Sequence, residues 1–249
     1  LALLSELDCG MLRTGQRHVT AELAEHLGQQ YAYGLEFLEL AAMSPPGPPP
    51  GEAPNGAENA RGFHGNAIVT ALDLRDPALI RLDEVGDWFV APWKGQRRIG
   101  NRMALAGTVS VGGFRFLACA VHLENLTDGP GRAAQMHTLL DALDGLADGL
   151  PVLVGGDLNT RVEPGRHDDP AEPLFALAGR RGYTVAGCNR SGRTTRDSVW
   201  NQRDSFPQLD WFLARGLRVS DPEIVPAQAP DGTVLSDHEL ILVSIAPLA

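Results

Sequence analysis

The sequence predicts an α/β fold of mixed sheets with helices outside. Three observations point there: strand-like apolar runs alternate with helical stretches, Gly112-Gly113 joins two strands as a hairpin, and no internal repeat suggests a solenoid or propeller. At 249 residues the chain exceeds the common domain size, yet folds of this class accommodate that length, so one domain over residues 1–249 is expected.

The run Leu1-Ala2-Leu3-Leu4-Ser5 precedes Glu6 and reads as a buried strand delivering a carboxylate at its end. From Gln16 to Leu27, Val19, Leu23 and Leu27 recur at helical spacing. Tyr31 to Leu40 alternates and carries aromatics, which suits a strand. Residues 44–62 are too rich in Pro, Gly, Asn and Glu to form a ladder or bury apolar area, and read as a flexible loop. Further strands are expected at Asn66 to Ala71, Trp88 to Ala91, Arg102 to Val111 and Phe114 to Val121. A helix from Arg132 to Leu146 places Met136, Leu139, Leu140, Leu143 and Leu146 on one face, and Gly149-Leu150-Pro151 stops it before the strand Val152-Leu153-Val154. A helix around Leu174 to Arg181 and strands at Leu209 to Ala214 and Leu240 to Ile245 complete the pattern.

A net charge of -10 repels polyanions, so tight non-specific binding of nucleic acid is disfavoured unless arginines or metals compensate. No apolar run approaches the roughly 20 residues of a membrane span. Cys9, Cys119 and Cys188 are odd in number and widely spaced, which suits core thiols in a reducing compartment. A cytoplasmic monomer is the expectation, with secretion left open because the chain opens at Leu1 without a Met.

The strongest chemical signal is Val152-Leu153-Val154-Gly155-Gly156-Asp157-Leu158-Asn159. A buried strand ends in two glycines that permit a tight turn, then offers a carboxylate and an amide two residues apart. Such a pair can orient a water beside a phosphoryl group, although alone it also describes an ordinary turn. Ser236-Asp237-His238 precedes the last strand, and Asp210 lies inside the apolar run Leu209-Asp210-Trp211-Phe212-Leu213. A carboxylate there requires a partner, for which His238 is the candidate. His122 follows Val121 at another strand end, a position more often structural than catalytic when taken alone.

In order and approximate spacing, Ser5-Glu6, Gly65-Asn66-Ala67-Ile68, His122-Leu123, Gly156-Asp157-Leu158-Asn159, Leu209-Asp210-Trp211 and Ser236-Asp237-His238 resemble the endonuclease/exonuclease/phosphatase superfamily. The resemblance implies a DNase I-like four-layer sandwich, two mixed β-sheets flanked by helices, with the site at one edge. It implies Mg²⁺, with Mn²⁺ as the alternative, held by Glu6 and supported by Asp237. Asp157 then orients or deprotonates the attacking water, Asn159 holds phosphate or nucleophile, and His238 paired with Asp210 contacts the scissile phosphate. His122 is the second phosphate-site histidine, steadied by Asn66. The family usually begins with a strand carrying an Asn that helps the first metal ligand. The sequence opens after that point, so that strand is expected to be missing from it, and the family's usual Gln before the metal-binding Glu is Ser5 here.

The expected reaction is in-line hydrolysis of a phosphodiester or phosphomonoester, on a small molecule or nucleic acid. Arg102 and Arg193, drawn from the basic patch Lys94, Arg97, Arg98, Arg102 and the stretch Asn189 to Arg196, are candidate grips for substrate phosphates, though solvated basic loops look the same in sequence. A DNase-like nuclease ranks second and a sphingomyelinase-like lipid phosphodiesterase third. A binding module that lost turnover is the alternative from another class. A Zn²⁺ site of His122, His238, Asp157 and Asp210 lacks any H-x-H or H-E-x-x-H spacing.

Overall fold

The computed structural model describes residues 1–39, 59–85, 98–196 and 208–248. The expected strand Trp88 to Ala91, residues 44–58 of the expected loop, and Lys94 and Arg97 lie outside the described residues. The chain divides into two compact units, Leu1–His122 and Leu123–Ala249.

In the first unit β1 (Ala2–Cys9) leads through a 3-10 turn (Leu12–Thr14) to α1 (Val19–Leu27). There follow β2 (Gln30–Glu39), β3 (Phe63–Thr70), β4 (Asp73–Arg81), β5 (Arg98–Gly100), β6 (Met103–Val111) and β7 (Phe114–His122). One antiparallel sheet has the order β1-β3-β2-β5, and within this unit β6 pairs antiparallel with both β4 and β7. Strand β3 is buried from His64 to Thr70, as a strand covered on both faces must be. Its Ile68 packs with Met103, Leu105 and Ala120, and Leu3, Ala32 and Leu74 close around them. On α1 the buried residues are Thr20 and Ala24, while Leu27 is 50% exposed, so the inward face is turned one residue from the Val19, Leu23, Leu27 stripe expected from spacing. The hairpin between β6 and β7 turns on Gly112 (φ 54°) and Gly113 (φ 82°), both in the positive-φ region that this tight turn needs.

In the second unit α2 (Gly129–Ala147) comes first, with Asp128 capping it by accepting from Gly131 N–H at 2.9 Å. Met136, Leu139, Leu140 and Leu143 are buried as their spacing predicts, but Leu146 is 41% exposed and Ala147 takes the inward place. Helix α2 packs on α3 (Leu174–Arg180), and the Arg132–Glu172 ion pair is buried beside them. Strand β8 (Val152–Asp157) pairs antiparallel with β9 (Asp210–Arg215), and β10 (Leu217–Val225) with β11 (Leu240–Pro247). Among the described residues no helix is long and apolar enough to cross a membrane.

Three strands are absent from the sequence expectations, β4, β5 and β10, and β4 and β10 share a cause. Each contains Asp-Pro, Asp76-Pro77 and Asp221-Pro222, which speaks against a strand. In each case the dipeptide falls where the register shifts, with Asp at φ 51° or 53°, so a bulge absorbs the proline and pairing resumes beyond it.

Gly65 explains why its motif requires glycine: a Cβ there would lie 1.9 Å from the Gly34 carbonyl oxygen and 3.2 Å from the Glu36 nitrogen, where β2 shifts register. Gly65→Ala should therefore push β2 from β3 and cost about 1–3 kcal/mol by overpacking, read as a lower urea midpoint. An unchanged midpoint would show that the strands part freely.

Candidate active site

Each unit carries its own cluster of ionisable groups. In the first, β1 does not end at Glu6 as expected but continues to Cys9, and its register against β3 shifts between Leu4 and Leu7. Glu6 sits within that bulge at φ 62°, a conformation a non-glycine residue rarely holds, and its side chain is 61% exposed. The bulge thus turns a carboxylate out of a strand that is otherwise partly or fully buried. His122, at the end of β7, has its Nε2 3.8 Å from Glu6 Oε1.

The His122 ring is buried, and its other nitrogen, Nδ1, lies 3.3 Å from Oε2 of Glu36 on β2. Arg102 donates from Nη1 to Glu36 Oε1 at 2.5 Å, and the same atom lies 2.8 and 2.9 Å from the two nitrogens of His122. Burial and Arg102 oppose charging of the imidazole, while Glu36 and Glu6 favour it and prevail, so its pKa is raised. Burial would raise the Glu36 pKa, but His122 and Arg102 hold it at about 2. Nearby in the same unit, Arg13 grips Asp8 with two bonds of 2.7 Å and His64 Nδ1 lies 2.7 Å from the same carboxylate. Glu39 is reached by Arg13 at 3.4 Å and Arg98 at 3.2 Å, and Arg98 lies over the Phe37 ring. Burial pulls the Arg98 pKa down to about 10 despite Glu39.

In the second unit the register of β8 and β9 sets Asp157 directly opposite Asp210. Facing carboxylates repel unless a cation lies between or beside them. His238 supplies one: its Nδ1 is 2.9 Å from Asp210 Oδ2, and its Nε2 is 4.0 Å from Asp157 Oδ2. Burial opposes its charging, but Asp210, then Asp157 and Asp237, hold its pKa well above the usual histidine range. The Asp210–His238 pair expected from sequence is present.

Asp157 Oδ1 also accepts from Asn159 N–H at 2.8 Å, and Asn159, at φ 49°, donates its side-chain amide to the Leu123 carbonyl at 2.9 Å. Buried Thr194 accepts from Leu209 N–H and Asp210 N–H at 2.9 and 3.0 Å. Its carbonyl takes Glu239 N–H, and Arg196 N–H donates to the Asp237 carbonyl, so residues 194–196 bracket His238. Asp237 is half-buried beside it.

Several assignments change. Asn66 does not steady His122: it is fully buried and donates to the Met103 carbonyl at 3.0 Å, leaving that task to Glu36. Arg102 is 3% exposed and committed to Glu36, so it is no phosphate grip. Arg98 is likewise drawn to Glu39, whereas Arg193 is exposed. Sequence reasoning missed Glu36 and Thr194. The signal for Glu36 was a carboxylate within the aromatic strand pattern of β2; Thr194 stood masked among arginines. Among the described residues no three His, Cys, Asp or Glu side chains are gathered as a metal cage, which leaves the Zn²⁺ reading without a cluster.

A profile of the Endonuclease/Exonuclease/phosphatase family matches residues 6–238. The endonuclease/exonuclease/phosphatase from Beutenbergia cavernae DSM 12333 is similar in structure, with a TM-score of 0.67 at 17% identity over 98% of this chain and 62% of that one. This chain therefore spans less than two thirds of that protein. The human Nocturnin catalytic domain with bound sulfate anion gives a TM-score of 0.57 at 20% identity, covering 91% of this chain and 74% of that one. D. rerio TDP2 complexed with single strand DNA product gives 0.56 at 15%, covering 92% and 81%. No curated protein matches. The fold is α/β and DNase I-like, with mixed sheets flanked by helices.

Acid should loosen the first unit. The Asp8 pKa is lowered to about 2 because its bonds to His64 and Arg13 outweigh burial, so its stabilisation is present above its unfolded value near 3.9 and is lost as pH falls toward 2. The loss is about 2 kcal/mol. Asp8→Asn should be less stable at neutral pH and should lose less between pH 4 and 2 in urea titrations. An acid slope identical to that of the parent chain would remove Asp8 from this response.

Proposed function

The chain belongs to the Endonuclease/Exonuclease/phosphatase family, a group of phosphoesterases and nucleases, and from that premise we propose that it hydrolyses a phosphoric ester by in-line attack of water with a divalent metal. The observation that carries this reading is the clamp on His238. With Nδ1 held by Asp210, the charged ring can donate from Nε2 to a phosphoryl oxygen. Its raised pKa suits that role better than proton abstraction at neutral pH.

Asp157, a carboxylate at the β8 strand end, accepts a proton from the attacking water or orients it. Asn159 has its amide nitrogen engaged by the Leu123 carbonyl, so in this reading its Oδ1 accepts from the attacking water. His122 offers Nε2 to a phosphoryl oxygen, its Nδ1 side being turned to Glu36. The residues fit a hard cation: Glu6 offers an exposed carboxylate, and Mg²⁺ accepts one or two such ligands while keeping several waters. Glu6 would hold it, and Mn²⁺ suits the same oxygens. When bound, the metal neutralises charge on the phosphoryl oxygens.

The net charge of -10 favours a small phosphate ester over a long polyanion. A nucleic-acid substrate is the second reading, favoured by the D. rerio TDP2 complex with a single strand DNA product and by exposed Arg193.

Purified protein should release nitrophenol from bis-p-nitrophenyl phosphate with Mg²⁺ and stop on chelation. Asp157→Ala should lower kcat by on the order of 100- to 1,000-fold while leaving the melting curve in place. Undiminished hydrolysis by that variant would remove Asp157 from the mechanism. Nicking of supercoiled plasmid at comparable rates would favour the nuclease reading.

A further inference from the structure

We infer that Glu36 is a positioning residue, acting through His122 and kept in place by Arg102. This rests on the proposed hydrolase reading for its catalytic meaning, and on geometry within the first unit for its physical basis. The family resemblance pointed to Asn66, but Asn66 spends its amide on the Met103 carbonyl, and Glu36 comes from a different strand.

The two ends of the His122 ring face unlike surroundings. Nδ1 meets Glu36, whose side chain has no solvent exposure, and Nε2 is turned toward Glu6, whose side chain is 61% exposed. A hydrogen bond from Nδ1–H to a buried carboxylate fixes the ring's rotation and tautomer and leaves Nε2 as the working atom. Arg102 Nη1 is almost equidistant from both ring nitrogens, so it lies across the imidazole and not at the end of one N–H. Its bond to Glu36 Oε1 leaves Oε2 for the ring. A carboxylate without that guanidinium would sit uncompensated in the interior, so the arginine keeps the acid charged and the acid keeps the histidine aligned. The backbone supports this arrangement: β2 shifts register between Leu35 and Phe37, placing Glu36 at its bulge, and Gly65 on β3 admits the close approach of β2 there.

The test combines kinetics with a spectroscopic readout independent of turnover. Glu36→Gln strands Arg102 and could unfold the chain, so Glu36→Gln/Arg102→Met, which removes both charges together, is made alongside it. With bis-p-nitrophenyl phosphate and Mg²⁺, loss of Glu36 should lower kcat on the order of 10- to 100-fold, with KM changed less than about twofold. In a His122→Ala background the same change should cost less than about threefold, because the group it acts through is gone. Imidazole ¹⁵N spectra, with the His122 signals identified by their absence in His122→Ala, should show those signals shifting in the folded double-charge variant. Losses that multiply in the His122→Ala background, or His122 signals that stay in place, would overturn the inference. Shifted signals in a chain whose parent form hydrolyses nothing would uphold the pairing of Glu36 with His122 and sink the hydrolase reading instead.

Discussion

Compensation of carboxylates that the sheets carry inside is the constraint on which the first unit depends. Asp8, Glu36 and Glu39 are each at most 5% exposed, and an unpaired charge at such depth costs several kcal/mol. Each has a guanidinium: Arg13 for Asp8, Arg102 for Glu36, and Arg13 with Arg98 for Glu39. Replacing such pairs by apolar side chains is often neutral for stability, so their presence points to specificity and chemistry more than to cohesion. Phe37 supports the same assembly by stacking on His64 at 4.7 Å while Arg98 covers it at 4.1 Å. In the second unit His238 lies beside two facing aspartates, and Arg132 answers buried Glu172.

Backbone irregularity decides where these groups emerge. Regular strands alternate their side chains between faces, which would leave Glu6 bound to the parity of Leu4 and Asp8. The bulge at positive φ breaks that parity and turns Glu6 outward. At Asn159 a positive φ again follows a strand end, with the Asp157 carboxylate receiving the Asn159 N–H. Asp76 and Asp221 hold similar dihedrals for another purpose, carrying a proline through an antiparallel pair. A positive φ therefore serves exposure at Glu6, a local turn closed on the Asp157 carboxylate at Asn159, and chain continuity at Asp76 and Asp221.

These devices also set what could be read in advance. The strands around Asn66, Phe114 and Val152 were legible because their apolar runs are unbroken, and α2 because its spacing is long and regular. Strands β4 and β10 were illegible because Asp-Pro reads as a break, and only pairing partners distant in sequence make it a bulge. The Asp210–His238 pair followed from charge burial alone, since an aspartate in an apolar strand must be answered. Arg102 failed the converse test: an arginine near a glycine-rich, basic stretch looks solvated, and nothing local announces that Glu36, far off in sequence, takes it inside.

The two histidines are built for unlike work, and the difference follows from what surrounds each. His122 is almost wholly buried, with a guanidinium across its ring and a buried carboxylate at Nδ1, so burial and Arg102 resist its charging while Glu36 and Glu6 sustain it. His238 is 30% exposed, and Asp210, then Asp157 and Asp237, favour its imidazolium against burial. A ring pulled both ways responds sharply to movement of either neighbour, whereas a ring among carboxylates keeps its proton through small displacements. Under the proposed hydrolysis His238 is therefore the steadier electrostatic anchor, and His122 the ring whose alignment depends on its buried partner.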